Sequence, residues 1–195
     1  MQRPPEEIQD ELLVLRCQGG DAEAFRLLVS RWHPRLRRLA ARLTANREAG
    51  PDVVQDVWLA VARGLRSLDD PARFRVWVYR ITANKCADWI RRRAVRRDTM
   101  PELRRAAVAE NDHSCPGESD EVDEVIRLRV ALRRLPEELR TILSLHYLDG
   151  LSVLEIAAVF NVPGGTIKSR MHNARAQLRK ELQESHDERT RQQNC

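Results

Sequence analysis

Residues 151–180 read LSVLEIAAVFNVPGGTIKSRMHNARAQLRK, and this stretch decides the fold of the C-terminal part of the chain. Its first half is apolar, whereas its second half carries five Lys or Arg residues after Pro163 and no Asp or Glu. Ser152 and Glu155 have the S-x-x-E spacing of a helix-capping box, and Asn161-Val162-Pro163 is typical of a tight turn. The pattern therefore predicts a helix-turn-helix whose second helix is cationic.

The second helix of this motif has an apolar stripe and a polar face. Helical spacing predicts that its buried side chains are Ile167, Met171, Ala174 and Leu178. The polar side chains away from this stripe are Lys168, Ser169, His172, Asn173 and Arg175, and Arg170 lies toward one flank. Long cations suit phosphates or guanine edges, and Ser, Asn and His can position or read bases. A solvated cationic helix is the alternative, but the capping box, the turn and the one-sided charge together favour DNA binding.

The composition favours helices and leaves room for two small domains. The 195 residues are 42% hydrophobic and only 5% aromatic, with few glycines. Such a mixture favours helix over sheet. Apolar residues recur at helical spacing in both halves of the chain, and no strand pattern appears. The formal net charge of +5 and the pI near 9.4 are compatible with a polyanionic partner.

The middle of the chain interrupts the helical pattern. Between Ala106 and Ile126 there are seven Asp or Glu residues and no Lys or Arg, with Pro116-Gly117 among them. This is typical of an acidic, flexible linker. We therefore expect an all-α protein with helical domains at residues 1–97 and 124–185, an acidic linker at 98–123 and a tail at 186–195.

Residues 73–97, RFRVWVYRITANKCADWIRRRAVRR, carry nine Lys or Arg residues and a single acid, Asp88. Cations interleaved with aromatic rings are typical of single-strand binders, since cations follow the backbone while rings stack on bases. The helical spacing of Trp77, Ile81 and Trp89 favours the alternative that these side chains belong to the core. The five arginines in 91–97 repel one another unless a polyanion is present.

A third stretch, PDVVQDVWLAVARGL at 51–65, predicts an apolar helix with Asp52, Gln55 and Asp56 on one side. This side is interpreted as a docking face for a basic partner. The alternative is a merely solvated face, and composition alone does not distinguish the two. No nucleotide-binding loop, Ser-His-Asp set or metal-ligand motif accompanies it. Asp69-Asp70 are typical of a turn rather than of a catalytic pair. We therefore expect no enzymatic activity, no cofactor and no metal.

The cysteines and the hydropathy pattern indicate a cytoplasmic protein. The four cysteines are scattered without a CxxC motif, and we expect free thiols, with Cys86 packed and Cys115 and Cys195 exposed. The longest stretch without a charged side chain, 156–167, is too short to span a bilayer. The N-terminal residues lack the apolar core of a secretory signal.

Taken in order, these stretches resemble the extracytoplasmic-function (ECF, group IV) sigma factors of the sigma-70 family of bacterial RNA polymerase. DVVQDVWLAVARGL (52–65) is similar to the core-binding helix of that family, and FRVWVYRITANKCADWIRRR (74–93) to its promoter-melting helices. EIAAVFNVPGGTIKSRMHNARAQLRK (155–180) resembles its −35-reading motif. The resemblance covers residues 10–97 and 124–183. It implies a sigma factor that binds core RNA polymerase, recognises −35 and −10 elements and melts the −10 region.

The resemblance also implies roles for single residues. The core polymerase would be contacted, at the clamp helices of its largest subunit, by Asp52, Gln55, Asp56 and Leu59. A flipped base of the −10 strand would enter the loop that contains Ser67, Asp69 and Arg73. Neighbouring nucleotides and upstream phosphates would be contacted by Asn84, Lys85, Arg91, Arg92 and Arg96. The −35 element would be read by Lys168, Ser169, Arg170, His172 and Asn173, the last of which departs from the Arg or Lys frequent in the family.

Further partners follow from the same resemblance. It implies contacts with promoter DNA and with the flap of the second-largest polymerase subunit, and an acidic linker in the RNA-exit path. It also implies an anti-sigma factor, which would hold the protein at the inner membrane if that factor is membrane-bound. A stand-alone DNA-binding regulator with an N-terminal sensor domain is the main alternative, and a helical RNA-binding or adaptor protein is another. Residues 51–97 discriminate, since a ligand sensor has no need of a docking helix followed by nine cations.

Overall fold

The computed structural model describes residues 5–46, 48–99 and 120–193, with side chains described in 5–46, 48–95 and 124–183. All regular structure in these ranges is helical, so the predicted all-α fold is confirmed. The helices are α1 (Pro5–Gln18), α2 (Ala22–Thr44), α3 (Ala49–Gly64), α4 (Phe74–Thr99), α5 (Asp120–Arg134), α6 (Glu137–Tyr147), α7 (Val153–Phe160) and α8 (Gly164–Gln193). Two short 3₁₀ turns, Leu65–Ser67 and Pro71–Arg73, lie between α3 and α4.

The described chain forms two compact units. One unit contains the described parts of residues 1–91 together with 154–162. The other contains the described parts of 92–153 and 163–195. Most of the predicted acidic linker, 100–119, lies outside the described residues, as do Cys115 and Cys195.

Helical backbone extends beyond the boundaries expected from the sequence. Helix α4 continues to Thr99 and α5 begins at Asp120, so both ends of the predicted linker are helical. Helix α8 continues to Gln193, through most of the predicted tail. The physical reason at α8 is that no Gly or Pro follows Gly165, so nothing in the local sequence ends the helix.

The first unit is built on α2, on which α1 and α3 pack. Its buried stripe on α2 repeats at helical spacing and consists of Ala24, Leu28, Trp32, Leu36, Leu39, Ala40 and Leu43. Trp32 meets the rings of Phe74 and Tyr79 edge-on, with ring centroids 5.4 and 5.7 Å away. Since such edge-to-face pairs are favourable beyond their buried area, these rings fix the start of α4 against α2.

Helix α2 begins at a side-chain cap. The Asp21 carboxylate accepts hydrogen bonds from the backbone N–H groups of Glu23 and Ala24, at 2.9 and 3.1 Å. Arg16 at the end of α1 forms an ion pair of 2.7 Å with the same carboxylate. The cap therefore fixes both the start of α2 and the turn from α1.

The second unit is centred on α8. Its core cluster contains Leu135, Leu139, Leu143 and Ala174, with Leu132 and Leu178 packed against it. Leu132 is on α5, Leu135 follows the end of α5, Leu139 and Leu143 are on α6, and Leu178 is on α8. Both α5 and α6 pack on α8. The Arg134 guanidinium at the end of α5 also pairs with Glu181 of α8 at 3.1 Å. The predicted stripe of α8 is confirmed for Ile167, Met171 and Ala174, which are buried, while Leu178 is half-buried and packs against the core cluster.

Candidate functional site

Helix α3 presents the predicted docking face to solvent. Its buried side is made of Val53, Val54, Val57 and Val61, which hold the helix in the first unit. Asp52, Gln55 and Leu59 are exposed and Asp56 is half-buried, so the four predicted contact residues share the outer side. Leu59 is 48% exposed. A large apolar side chain in the middle of a polar helix face is typical of a protein interface.

Two further features of α3 were missed in the sequence. Arg63 is exposed one turn after Leu59, so it extends the same face with a cation. The indole of Trp58 meets the Phe25 ring edge-on at 6.0 Å, which braces α3 against α2 beside this face. The i, i+4 spacing from Leu59 was the available signal for Arg63.

The segment from Ser67 to Arg73 is ordered by its own polar side chains. The Ser67 hydroxyl donates to the carbonyl oxygen of Gly64 at 2.9 Å. The Asp70 carboxylate accepts a hydrogen bond of 3.0 Å from the N–H of Ala72 and pairs with Arg73 Nε at 3.2 Å. Asp70 is therefore a turn residue, as predicted, while Ser67, Asp69 and Arg73 are all exposed.

Helix α1 holds the start of this segment in place. The side-chain amide of Gln18 donates to the carbonyl oxygens of Leu65 and Leu68, at 3.1 and 2.8 Å. Helix α1 also packs on both 3₁₀ turns. Gln18 was not recognised in the sequence, because its partners lie 47 and 50 residues away.

Helix α4 presents cations on the side that faces away from the core. Asn84, Arg91 and Arg92 are exposed and Lys85 is half-buried, whereas the side chain of Arg96 lies outside the described residues. Arg91 forms an ion pair with Asp88 one turn earlier. Arg80 is exposed one turn before Asn84 and was missed, although the i, i+4 spacing places both on one face.

The aromatic side chains of α4 belong mainly to the packed interior. Phe74 and Tyr79 are 1% and 3% exposed. Trp77 and Trp89 are half-buried, as is Ile81. The burial of these rings supports their assignment to the core rather than to base stacking. The surface of α4 is therefore cationic rather than aromatic.

The turn between α7 and α8 has the geometry expected from the sequence. Asn161 adopts a left-handed backbone conformation, with φ of 55°, which Asn tolerates better than most residues. The N–H of Val162 donates to the carbonyl of Ala157 at 3.0 Å. The carbonyl of Pro163 accepts the N–H of Thr166 at 3.0 Å and so opens α8.

The predicted −35 residues divide into two groups on α8. Lys168, Ser169, His172 and Asn173 are exposed on the side opposite the buried stripe. Arg170 is half-buried and forms an ion pair with Glu138 of α6. The structure therefore brings four of the five residues to one open face and turns Arg170 toward its neighbouring helix.

Neighbouring polar groups orient several side chains of this face. The Ser169 hydroxyl donates to the carbonyl oxygen of Gly165 at 3.1 Å. The Gln177 amide donates to Asn173 Oδ1 at 3.2 Å. The guanidinium of Arg175 lies 5.7 Å from the centre of the Tyr147 ring, within the range of a cation–π contact. The face is therefore preorganised before any partner binds.

The described residues contain no arrangement typical of a metal centre. Within the described side chains, no group of three or more His, Cys, Asp or Glu residues is placed to hold a metal ion. Neither Cys17 nor Cys86 is in a disulfide, and Cys86 is buried as expected. Burial raises the pKa of the Cys17 thiol. None of the helices in the described ranges has the length and apolarity that a membrane span needs.

Together, the helix-turn-helix and the cationic helix α4 are typical of the class of helical DNA-binding proteins. Residues 28–96 match the family described as sigma-70 region 2, and residues 126–178 match sigma-70, region 4. The ECF RNA polymerase sigma-E factor of Escherichia coli K12 is 35% identical over 188 residues, covering 91% of this chain and 96% of the relative.

Two solved structures have a similar fold. The structure of CnrH in complex with the cytosolic domain of CnrY has a TM-score of 0.65 and 28% identity, and covers 90% of this chain and 97% of that chain. The sigma factor RpoE, in complex with the anti-sigma factor NepR from Bartonella quintana, has a TM-score of 0.63 at 22% identity, covering 83% and 98%. The chain belongs to the extracytoplasmic-function sigma factors of the sigma-70 family, and it directs promoter-specific transcription initiation.

Proposed function

We propose that this sigma factor binds core RNA polymerase through α3, melts the −10 region with the Ser67–Arg73 loop and α4, and reads the −35 element with α8. One observation carries the proposal. The exposed face of α3 leads directly into an ordered polar loop and then into a cationic helix, and these elements as far as Arg91 belong to one compact unit. A ligand-sensing domain, as in a stand-alone regulator, would not require this succession of elements.

The core polymerase contact combines charge with an apolar centre. Asp52, Gln55 and Asp56 offer hydrogen-bond acceptors and negative charge, and Leu59 supplies exposed apolar area beside them. The clamp helices of the largest polymerase subunit are the partner we propose for this face. Docking would bury Leu59, and the charges would steer the encounter.

Melting requires a site that offsets the cost of unstacking a base, which is a few kcal/mol. The loop between α3 and α4 exposes Ser67, Asp69 and Arg73 around a backbone already held by hydrogen bonds. We propose that it accepts the flipped −10 base. The neighbouring nucleotides and the upstream phosphates are assigned to Asn84, Lys85, Arg91, Arg92 and Arg96.

The −35 contact is assigned to the first turns of α8. Lys168 and His172 lie on the open face beside Ser169 and Asn173, where the first turns of a recognition helix enter the major groove. Arg170 is assigned to the edge of this contact, because its ion pair with Glu138 directs it toward α6.

The proposal also covers the domain organisation of the protein, its other partners and its location in the cell. We propose domains at residues 1–97 and 124–185, joined by an acidic linker. The domain at 124–185, which contains α8, would also contact the flap of the second-largest polymerase subunit. The protein would act in the cytoplasm without catalysing a reaction itself. An anti-sigma factor is proposed because the RpoE structure of similar fold contains one. If that factor is membrane-bound, it would hold the protein at the inner membrane.

Comigration with bacterial core RNA polymerase tests the docking step. Leu59→Ala should weaken binding about tenfold or more, because the variant loses apolar area at the centre of the interface. Leu12→Ala is the matched control, since Leu12 on α1 is 56% exposed and lies outside the proposed face. Equal affinity of wild type and Leu59→Ala would contradict the assignment of α3. DNA binding without any binding to core would instead indicate a stand-alone regulator.

A further inference from the structure

Asn173 and Gln177 form an amide pair on the open side of α8. Gln177 Nε2 donates to Asn173 Oδ1 at 3.2 Å, across one helical turn. Asn173 is exposed and Gln177 is half-buried, so the pair lies at the border between the open face and the side toward the core. Polar pairs at i, i+4 stabilise one another on a helix surface, and here one partner is a proposed base-reading residue.

The pair determines which part of the Asn173 amide is offered to a partner. An asparagine amide has a carbonyl oxygen that accepts hydrogen bonds and an NH₂ group that donates them. Because the Gln177 N–H group holds Oδ1 of Asn173 on its own side, the NH₂ group is the part directed away from Gln177. An asparagine that reads adenine uses both parts at once, so this arrangement disfavours that contact.

Ser169, one turn earlier, offers a hydrogen-bond acceptor rather than a donor. Its hydroxyl donates its only proton to the carbonyl oxygen of Gly165, at 3.1 Å. The lone pairs of the hydroxyl oxygen are then what Ser169 offers to the groove. Within one turn, α8 thus presents an acceptor at Ser169 and a donor at Asn173.

We propose that Gln177 is a positioning residue for promoter specificity, which holds Asn173 as a hydrogen-bond donor. The base facing Asn173 must then offer an acceptor in the major groove, as guanine (O6, N7), thymine (O4) and adenine (N7) do, whereas cytosine offers only a donor. The base facing Ser169 must offer an exocyclic amine, as cytosine and adenine do. This assignment rests on the proposed reading of the −35 element by α8.

The test is selection of −35 sequences from a randomised promoter library by the full-length protein bound to core polymerase. Gln177→Glu replaces a donor with a carboxylate that only accepts, so the Asn173 NH₂ would turn toward it and Oδ1 would face the groove. At the base facing Asn173, preference should shift from guanine and thymine, which offer acceptors there, toward cytosine, which offers only a donor, by about three- to tenfold.

Two controls isolate the effect. Gln183→Glu introduces the same charge at an exposed position further along α8 and should leave base preference as in the wild type. In an Asn173→Ala background, Gln177→Glu should cause no shift at that base, because the side chain it positions is gone. A shift that persists in this background would mean that Gln177 contacts the base itself, which overturns the proposal.

The outcomes also separate this proposal from the broader one. If the wild-type complex enriches no −35 motif, the assignment of α8 to that element is wrong. If it enriches a motif that Gln177→Glu leaves unchanged, α8 reads the element but Gln177 does not position Asn173.

Discussion

Gln18 Nε2 donates a hydrogen bond of 2.8 Å to the carbonyl oxygen of Leu68, 50 residues further along the chain. The same amide group reaches Leu65, so one side chain of α1 holds the chain just before and within the first residues of the proposed base-capture loop, Ser67–Arg73. The loop is therefore positioned by a contact outside α3 and α4, the two helices that flank it. A site that captures a flipped base benefits from this rigidity, because less conformational entropy is lost on binding.

Gln18→Leu should impair promoter melting while leaving core binding intact. The variant removes two hydrogen bonds, each of which contributes about 1 kcal/mol. The Leu65 carbonyl oxygen would still accept the N–H of Leu68, at 3.3 Å. We expect strand opening at the −10 element to decrease about fivefold or more. Fluorescence of 2-aminopurine placed in the −10 strand measures the opening.

Gln9→Leu is the matched control for this experiment. Gln9 lies on the same helix, is exposed, and accepts a hydrogen bond from Arg31 rather than contacting the loop. It should open promoters like the wild type. Equal opening by Gln18→Leu and Gln9→Leu would show that the contact with Leu65 and Leu68 has no part in melting.

Arg91→Ala combined with Arg92→Ala should weaken promoter binding on many sequences and flatten its salt dependence. Each cation that neutralises a phosphate of duplex DNA contributes about 0.9 to the slope of log K against log salt concentration. The double variant should therefore lower the slope by about 1.8. Arg26→Ala, an exposed arginine on α2, should leave the slope unchanged. An unaltered slope in the double variant would remove these arginines from the phosphate contacts.

Two Gly→Ala substitutions should have opposite effects on stability. A Cβ atom at Gly64 would lie 3.0 Å from Cζ2 of Trp77, which crowds the packing of α3 on α4 and should cost about 1 kcal/mol. A Cβ at Gly165 would meet nothing within 4 Å, and alanine should stabilise the first turn of α8 by about 0.5 kcal/mol. Thermal unfolding measures both. Stabilisation by Gly64→Ala would contradict the close approach of Trp77.

The stability of the first unit should depend on the titration of Asp10. Burial raises the pKa of this carboxyl above its ordinary value, although Arg31 Nε lies 2.8 Å from Oδ1 and opposes the shift. At a pH between the ordinary aspartate pKa and the raised value, Asp10 therefore keeps its proton in the folded state and has lost it in the unfolded state. The Asp10 contribution to the free energy of unfolding should decrease as pH rises from the ordinary aspartate pKa to the raised value, and it is constant above that value.

Comparison with Asp10→Asn isolates this contribution from other acids. The pKa of Asp21 is lowered by hydrogen bonds from Ala24 N–H and Arg16, so its effect has the opposite sign and is present in both proteins. All four tryptophans lie in residues 32–89, so their fluorescence in urea reports unfolding of the first unit. The stability of wild type relative to the variant should decrease with rising pH in the acid range. An increase would show that the folded-state pKa is not raised.

Much of the fold was predictable because helical periodicity is local. The buried valines of α3 and the Ile167, Met171 and Ala174 stripe of α8 follow directly from spacing in the sequence. The turn before α8 was predictable for the same reason, since Asn161 and Pro163 restrict their own backbone.

The partners of polar side chains were not predictable in the same way. The bonds of Gln18 to Leu65 and Leu68 depend on how α1 packs, and the ion pair of Arg170 with Glu138 joins residues 32 positions apart. The sequence placed Arg170 toward one flank of α8 but did not indicate Glu138 as its partner. The i, i+4 spacing of Gln177 from Asn173 was visible in the sequence, but a neutral amide on a helix surface does not itself indicate which group it bonds.

Promoter-dependent transcription by reconstituted polymerase tests the central claim most directly. Core polymerase is mixed with the purified protein and with promoters recovered by the selection, and transcripts are mapped to their start. We predict specific transcripts when the protein is present and none with core polymerase alone. A protein that binds these DNA sequences but neither comigrates with core polymerase nor starts transcripts would contradict the account.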